Sequence, residues 1–262
     1  MSRYGRVLAT QLRVSAAAGM AYRADFLLEG LMTVAWMALT LLPIYVLFDG
    51  RATVAGWTAP ETLVVIAYFM GVRAVLEGLV SPSLTDLTER IRSGSFDYVL
   101  LKPLDAQAMV STSRFEPWKL FDLLGAIGVV VYAFHRRGFG PSAADLVAGG
   151  LLFVTGVVAM YALWVVCAAA SFWVVRLDNL QYLLAAIFDT ARWPVQVFRG
   201  AWRFVFTFVF PVAVMTTFPA MALLGQLSLR MVAATIGGAA LLLVVSRLVW
   251  RLAIRSYTSA SS

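Results

Sequence analysis

The chain has few charged residues, and this shortage limits the class of protein it can be. Only 13% of its 262 residues are Asp, Glu, Lys or Arg, whereas 61% are hydrophobic. An ordinary soluble domain carries about 25% charged and about 45–50% apolar residues. With a mean hydropathy of +0.83, the chain has too few polar side chains to cover a surface in water. The composition therefore predicts an all-α integral membrane protein.

Cysteine, histidine and lysine are almost absent. Cys167 alone cannot form an intrachain disulfide, and His135 alone leaves no ligand set for a structural zinc site. The two lysines, Lys102 and Lys119, do not follow glycines, so the chain lacks a P-loop and we expect no ATP hydrolysis by it. We expect no catalytic residue, cofactor or metal ion in this chain. The net charge of +7 is dispersed between apolar runs, which argues against a nucleic-acid partner.

Long apolar runs predict six transmembrane helices in a single domain over residues 1–262. A helix needs about 20 mostly apolar residues to cross a bilayer. Residues 180–224 allow two interpretations, because prolines interrupt them: a span followed by a re-entrant outer hairpin over 199–226, or an amphipathic segment followed by one kinked span. We favour the hairpin, since Pro211 and Pro219 lie eight residues apart. The predicted spans are about 26–48, 61–80, 118–135, 148–175, 179–198 and 229–250.

The distribution of basic residues predicts the orientation. Thirteen lysines and arginines lie in the segments on the side of the N-terminus, against six on the other side, so both termini are predicted to be cytoplasmic. Residues 1–24 are basic and amphipathic and contain no signal-peptide core. They are predicted to form an interfacial helix that contacts membrane lipid.

The largest predicted cytoplasmic loop, residues 82–105, contains a patterned segment. Leu84, Leu87 and Ile91 make one apolar stripe of a short amphipathic helix over 84–93, with Ser83 as its cap and Gly94 as its left-handed stop. We expect this helix to lie parallel to the membrane. It is either an interfacial anchor or a docking surface for a cytoplasmic partner.

Two pairs of charges within the predicted spans require an explanation. Arg73 and Glu77 are four residues apart and Asp189 and Arg192 are three apart, so each pair can neutralise itself on one helix. Such charges are costly in a membrane and suggest function. Two interpretations stand: salt bridges that fix helix packing, or a polar lining for a substrate path.

Several segments resemble one branch of the ABC type-2 exporter permeases, and together they cover essentially the whole chain. The loop pattern Gly-x-apolar-Asp-x-x-Leu-x-basic-Pro occurs here, with Lys102 where the family more often has arginine. The matching segments are 94–104, Arg192-Trp193-Pro194, Gly200-Ala201-Trp202-Arg203, 208–212, Phe218-Pro219-Ala220, Trp250-Arg251 and Tyr257-Thr258-Ser259-Ala260.

The resemblance implies a six-span permease of the bacterial cytoplasmic (inner) membrane with a coupling helix between spans two and three. Two such subunits, alike or different, dock on two separate ABC ATPase subunits, which bind ATP and Mg. The alternative is an ATP-independent secondary transporter or channel, which predicts an internal repeat; we find none between 1–130 and 131–262. The implied ATPase-coupling residues are Asp86, Glu89, Arg90, Arg92, Ser93, Gly94, Asp97 and Tyr98. Those implied for the outer re-entrant segment are Pro194, Trp202, Pro211 and Pro219.

Overall fold

The computed structural model describes residues 10–11, 13–14, 23–173 and 178–257. Most of the predicted interfacial helix over 1–24 therefore lies outside the described residues, as do 174–177 and the tail from 258. Within the described part, the regular structure is helical and contains no strand. Its α-helices are α1 Arg23–Leu47, α2 Ala59–Val75, α3 Ser81–Arg92, α4 Asp97–Leu100, α5 Ala106–Ser111, α6 Lys119–Arg137, α7 Ala143–Ala169, α8 Asp178–Asp189, α9 Ala201–Phe204, α10 Phe218–Leu223 and α11 Leu229–Arg255.

Several of these helices are long and apolar enough to cross a membrane. In the described ranges they are Gly30–Leu47, Ala59–Arg92, Ala143–Phe172 and Leu229–Arg255. A bent pair, Ala201–Val209 and Ala213–Leu223, makes a fifth if it counts as one span. The prediction of an all-helical, multi-span protein is confirmed at this level. Over the predicted span 179–198, α8 has 12 residues and a length of about 18 Å, and two short 3₁₀ turns follow it.

Helix α2 is the centre of the packing. It begins at a capping box formed by Thr58 and Glu61, and it packs most extensively against α6, with α7 and the 213–217 turn on other sides. Val65, Ile66 and Val72 are completely buried. A helix that is apolar all round and buried by its own chain is an interior helix.

A proline explains the break between α2 and α3. The two helices are joined without a loop, through a π-helical turn over Leu76–Val80. Pro82 has no N–H to donate to the carbonyl of Gly78, four residues earlier. That carbonyl instead accepts from the backbone N–H of Glu116, at 2.8 Å. Helix therefore continues from Ala59 to Arg92.

This continuity corrects the prediction of a separate helix over 84–93. Ser83 is not its cap: it is fully buried inside α3, where its hydroxyl donates to the carbonyl of Arg114 and accepts from the N–H of the same residue. The serine thus fixes α3 to the segment that leads into α6. Gly94, by contrast, ends the helix with a φ of +73°, as predicted.

Two glycines on α7 allow the broken segment and α10 to pack closely against this helix. A Cβ on Gly156 would lie 2.9 Å from the carbonyl oxygen of Met215, and one on Gly149 would lie 2.9 Å from the Leu223 Cβ. The π-helical turn Ala213–Thr217 therefore packs directly on α7. Small residues allow such close approach between membrane helices.

Helices α1 and α11 have large faces that no described residue covers. Only 11% of Gly30–Leu47 is buried, and only 17% of the most apolar part of α11. Trp36 and Val46 on α1 and Leu241 on α11 are about two-thirds exposed or more. Apolar faces of this extent require lipid or another protein beside them.

The tight contact at Gly156 gives a stability prediction. Gly156→Ala should lower the free energy of unfolding by about 1–3 kcal/mol, because its methyl group meets the backbone of Met215 and cannot displace it easily. Gly150→Ala, on the same helix, is the matched control, since nothing lies within 4 Å of its Cβ. Thermal unfolding of the purified protein in detergent measures both. Equal melting temperatures for the two variants would contradict the close packing.

Candidate coupling site and charge network

The predicted coupling residues fall into an internal group and an exposed group. Asp86 is internal: it pairs with Arg90 at 2.6 Å and with Arg114 at 2.9 Å, and the hydroxyl of Ser113 lies at 3.4 Å. Only 9% of the Asp86 side chain is exposed. Asp86 therefore holds α3 against the 113–114 segment, and Arg90, with 38% of its side chain exposed, supports it from the same helix.

The exposed group lies on the tip of α3 and on the hook, by which we mean residues 93–104. Glu89 and Arg92 pair with each other at 2.7 Å, and more than half of each side chain is exposed. On the hook, Tyr98 and Leu101 are 71% and 80% exposed. Ser93 is also exposed and shares a hydrogen bond with Ser95. This surface presents two large apolar side chains beside a charged pair.

The hook is anchored by an aromatic cluster made of Phe96, Phe172, Trp250 and Tyr257. Phe96 is fully buried, with ring centroids 5.3 Å from Phe172 and from Tyr257 and 6.5 Å from Trp250. The four rings meet edge to face, the geometry that aromatic pairs prefer. Phe172 follows α7 and Trp250 lies on α11, so the cluster joins the hook to the ends of two long helices.

Asp97, another predicted coupling residue, faces inward toward this cluster. It lies beside the phenol of Tyr257, whose pKa is raised by burial and by that carboxylate. Neither residue belongs to the exposed surface. Sequence reasoning noted the Trp250 and Tyr257 segments only as part of the resemblance and did not place them against Phe96.

A second connection at this end runs through Arg247 on α11. Its guanidinium pairs with the carboxylate of Asp105 and donates to the side-chain oxygen of Gln107 at 2.7 Å. Gln107 in turn donates to the hydroxyl of Tyr161 on α7. Hydrogen bonding by Arg247 holds the pKa of Asp105 below its usual value. Arg247 therefore ties α11 to the segment at the start of α5.

The four predicted intramembrane charges form one network. Arg73 lies 2.6 Å from Glu77, and Asp189 lies 3.5 Å from Arg192, as the spacing predicts. Arg73 also reaches Asp189 at 3.5 Å, so the two pairs are joined across α2 and α8.

Two further residues, on α6, extend the network. Lys119 lies 2.6 Å from Glu77 and 3.4 Å from Asp122. The close approach of α6 is possible because Gly78 faces the side chain of Lys119. The six charges sum to zero, and they connect three segments of the bundle. The two pairs are therefore not separate units, and the link through Arg73 and Lys119 could not be read from spacing on single helices.

The side chains of the charge network are neither fully buried nor fully exposed. Side-chain exposure runs from 21% at Lys119 to 47% at Asp189. The guanidinium groups of Arg73 and Arg192 lie 5.9 and 5.6 Å from the ring centre of Phe69, where cation–π attraction helps to hold them. The geometry fits a packing role and leaves Asp189 and Arg73 facing open space beside α2 and α8.

The four residues predicted for the outer segment mark its turns. Pro194 lies between the 3₁₀ turns, Pro211 lies in the break between the two half-helices, and Pro219 is buried in the first turn of α10. The half-helices bend by 70°. Trp202 is 65% exposed and stacks on Phe206.

The irregular backbone of this segment is satisfied inside the protein. Thr216 donates to the carbonyl of Ala191 at 2.8 Å, and Thr217 accepts from the N–H of Val195 at 3.1 Å. Both threonines are fully buried. Non-helical backbone at membrane depth requires such internal partners.

Because Glu77 compensates two cations, its loss should cost more than the loss of an ordinary surface carboxylate. Glu77→Gln should lower the free energy of unfolding by about 1–2 kcal/mol, below the 3–5 kcal/mol of a fully buried pair because the network is partly exposed. Glu89→Gln, which breaks only the exposed pair with Arg92, should cost about 0.5 kcal/mol or less. Chemical denaturation in detergent compares the two. Similar losses would contradict a shared network.

Comparison with known proteins was made by family, by curated sequence and by structure. The family model described as ABC-2 family transporter protein matches residues 34–261. The comparisons with curated proteins and with solved structures gave no significant match. The matched region includes α3, the hook, the charge network and the outer segment, and its several membrane-capable helices are those of a multi-pass membrane protein. The chain belongs to the ABC-2 family of transporter permeases.

Proposed function

We propose that this chain is the membrane permease subunit of an ATP-driven exporter in the bacterial cytoplasmic membrane. Members of its family are membrane subunits of transporters that associate with ABC ATPases. In this proposal two permease subunits pair, both termini are cytoplasmic, and ATP and Mg are bound by separate ATPase subunits. The observation that carries it is the exposed surface of α3 and the hook, at the end of a helix that runs without a loop into the centre of the bundle.

The exposed surface has the chemistry of a docking site. Tyr98 and Leu101 are large apolar side chains in open space, and exposed aromatic anchors beside charges are typical of protein interfaces. Glu89 and Arg92 can exchange their mutual pair for pairs with a partner. Ser93 and Gly94 shape the turn that presents them.

Rigid connections behind this surface allow it to act as a lever. Asp86 and Ser83 fix α3 to the segment before α6, and Phe96 fixes the hook to α7 and α11. When the ATPase subunits close and displace this surface, the displacement is therefore passed to four long helices: α2, α6, α7 and α11. Alternating access follows if these helices have two packed arrangements that open a cavity on opposite sides.

The π-helical turn at Leu76–Val80 is the natural hinge in that lever. It lies between the bundle centre and the docking surface, and π-helical turns are frequent at functional bends. Glu77 lies within it, so movement of the hinge also changes the charge network. We propose that the network keeps α2, α6 and α8 together while the hinge moves.

ATPase recovery tests the proposal directly. Leu101→Asp and Tyr98→Ala should each reduce co-purification of a co-expressed ABC ATPase subunit about tenfold or more, because each removes an apolar anchor. The measurement is the molar ratio of ATPase to permease after affinity purification in detergent.

A matched control separates docking from general damage. Leu229 is 83% exposed, much as Leu101 is, but it lies at the start of α11, whereas the hook contacts α11 near its end. Leu229→Asp should therefore leave ATPase recovery unchanged. Melting temperatures of all variants should stay within a few degrees of the original protein. Transport by the purified chain in vesicles without any ATPase would favour an ATP-independent transporter and reject the proposal.

A further inference from the structure

A cleft opens between the broken segment and α11, and its polar part lies at the start of α11, whereas the hook contacts α11 near its end. Its polar part has a volume of about 650 Å³ and is lined by Gln196, Arg203 and Gln226, among others. An adjoining part of about 540 Å³ is lined almost entirely by apolar side chains. The two parts share walls, for they have Thr207, Phe208, Phe218 and Met231 in common. Volumes of this size are those of small-molecule sites.

The polar part carries a positive charge that the described residues do not neutralise. No described carboxylate lies within 4.0 Å of the Arg203 guanidinium. The nearest carboxylate to the cleft by contact is Glu61, which accepts from Gln226 at 2.8 Å and lies 3.7 Å from Arg137. An arginine facing a cavity without an acid partner favours an anionic group there.

The apolar part has the dimensions of a lipid tail site. Along α11 its lining runs from Met231 to Val245, which is about 21 Å at 1.5 Å per residue. One leaflet of the hydrocarbon core is about 15 Å thick. Gly238 lies in this wall, with nothing within 4 Å of a Cβ built on it.

We propose that this cleft binds an anionic amphiphile, with its anionic head on Arg203 and its tail along α11. We further assign this chemical class to the exported substrate, a step that rests on the proposed function. The continuity of a cationic head pocket with an apolar groove is what separates this ligand from a free anion or a neutral hydrocarbon.

Ligand discrimination by the full chain in a neutral detergent tests the site. Phosphatidylglycerol, which has a phosphate and free hydroxyls, should bind at least tenfold more tightly than phosphatidylcholine with the same tails, as measured by native mass spectrometry. Glycerol phosphate, the head without a tail, should not compete at equal concentration. Equal binding of phosphatidylcholine would overturn the anionic head site, and full competition by glycerol phosphate would overturn the tail site.

Paired variants locate the ligand. Arg203→Gln should weaken phosphatidylglycerol binding about tenfold, whereas Arg199→Gln, the same charge change at another exposed arginine that is outside the cleft lining, should not. Gly238→Leu should block the tail groove. Gly237→Leu, next to it and also in open space but outside the lining, is its control.

The glycine pair keeps the proposal testable if the polar variants fail to fold, because both new side chains enter open space. Equal losses within either pair would mean that binding is not at this cleft. No ATPase is present in these assays, so the result is independent of the co-purification experiment. Binding here together with no ATPase recovery would reject the exporter and keep the site.

Discussion

Charges and unpaired backbone groups must find their partners inside the protein, and the rest of this structure depends on that constraint. In a membrane, no water is available to solvate a charge or a backbone group that lacks a hydrogen bond, so each needs a partner within the chain. Arg73 pairs with Glu77 and Asp189. The carbonyl of Gly78, which Pro82 leaves without a donor, accepts from the N–H of Glu116. The same rule places Thr216 and Thr217 against the broken segment. Each compensation joins two segments, so the irregular features are also the connections of the bundle.

These connections are concentrated in two places, near the hook and in the charge network. Near the hook, Phe96 and Arg247 tie the loop to α7 and α11 through aromatic and ionic contacts. Deeper in, the charge network ties α2, α6 and α8. The π-helical turn between α2 and α3 carries Glu77 of that network. A stiff bundle with a single irregular joint on its central helix is suited to transmit a displacement rather than absorb it.

Much of the architecture could be predicted from the sequence, because it depends on local pattern. Hydropathy predicts the long helices, Gly94 predicts the end of α3, and the spacing of Arg73 and Glu77 predicts their pair. Contacts between distant segments could not be predicted in this way. Pairing of Lys119 with Glu77 and of Arg247 with Asp105 depends on how helices cross. Whether Ser83 caps a helix or lies within one depends on Pro82 and Gly78, and a stripe of leucines does not distinguish the two.

The hydrogen bond between the Gly78 carbonyl and the Glu116 amide gives the joint an unusual property. Gly78 lies in the joint itself, and Ser83 and Asp86 tie α3 to Arg114, so α3 cannot swing about the joint without carrying the segment before α6 with it. A spectroscopic label on either segment would report the same angular coordinate. The two segments therefore behave as one rigid unit on one side of the joint.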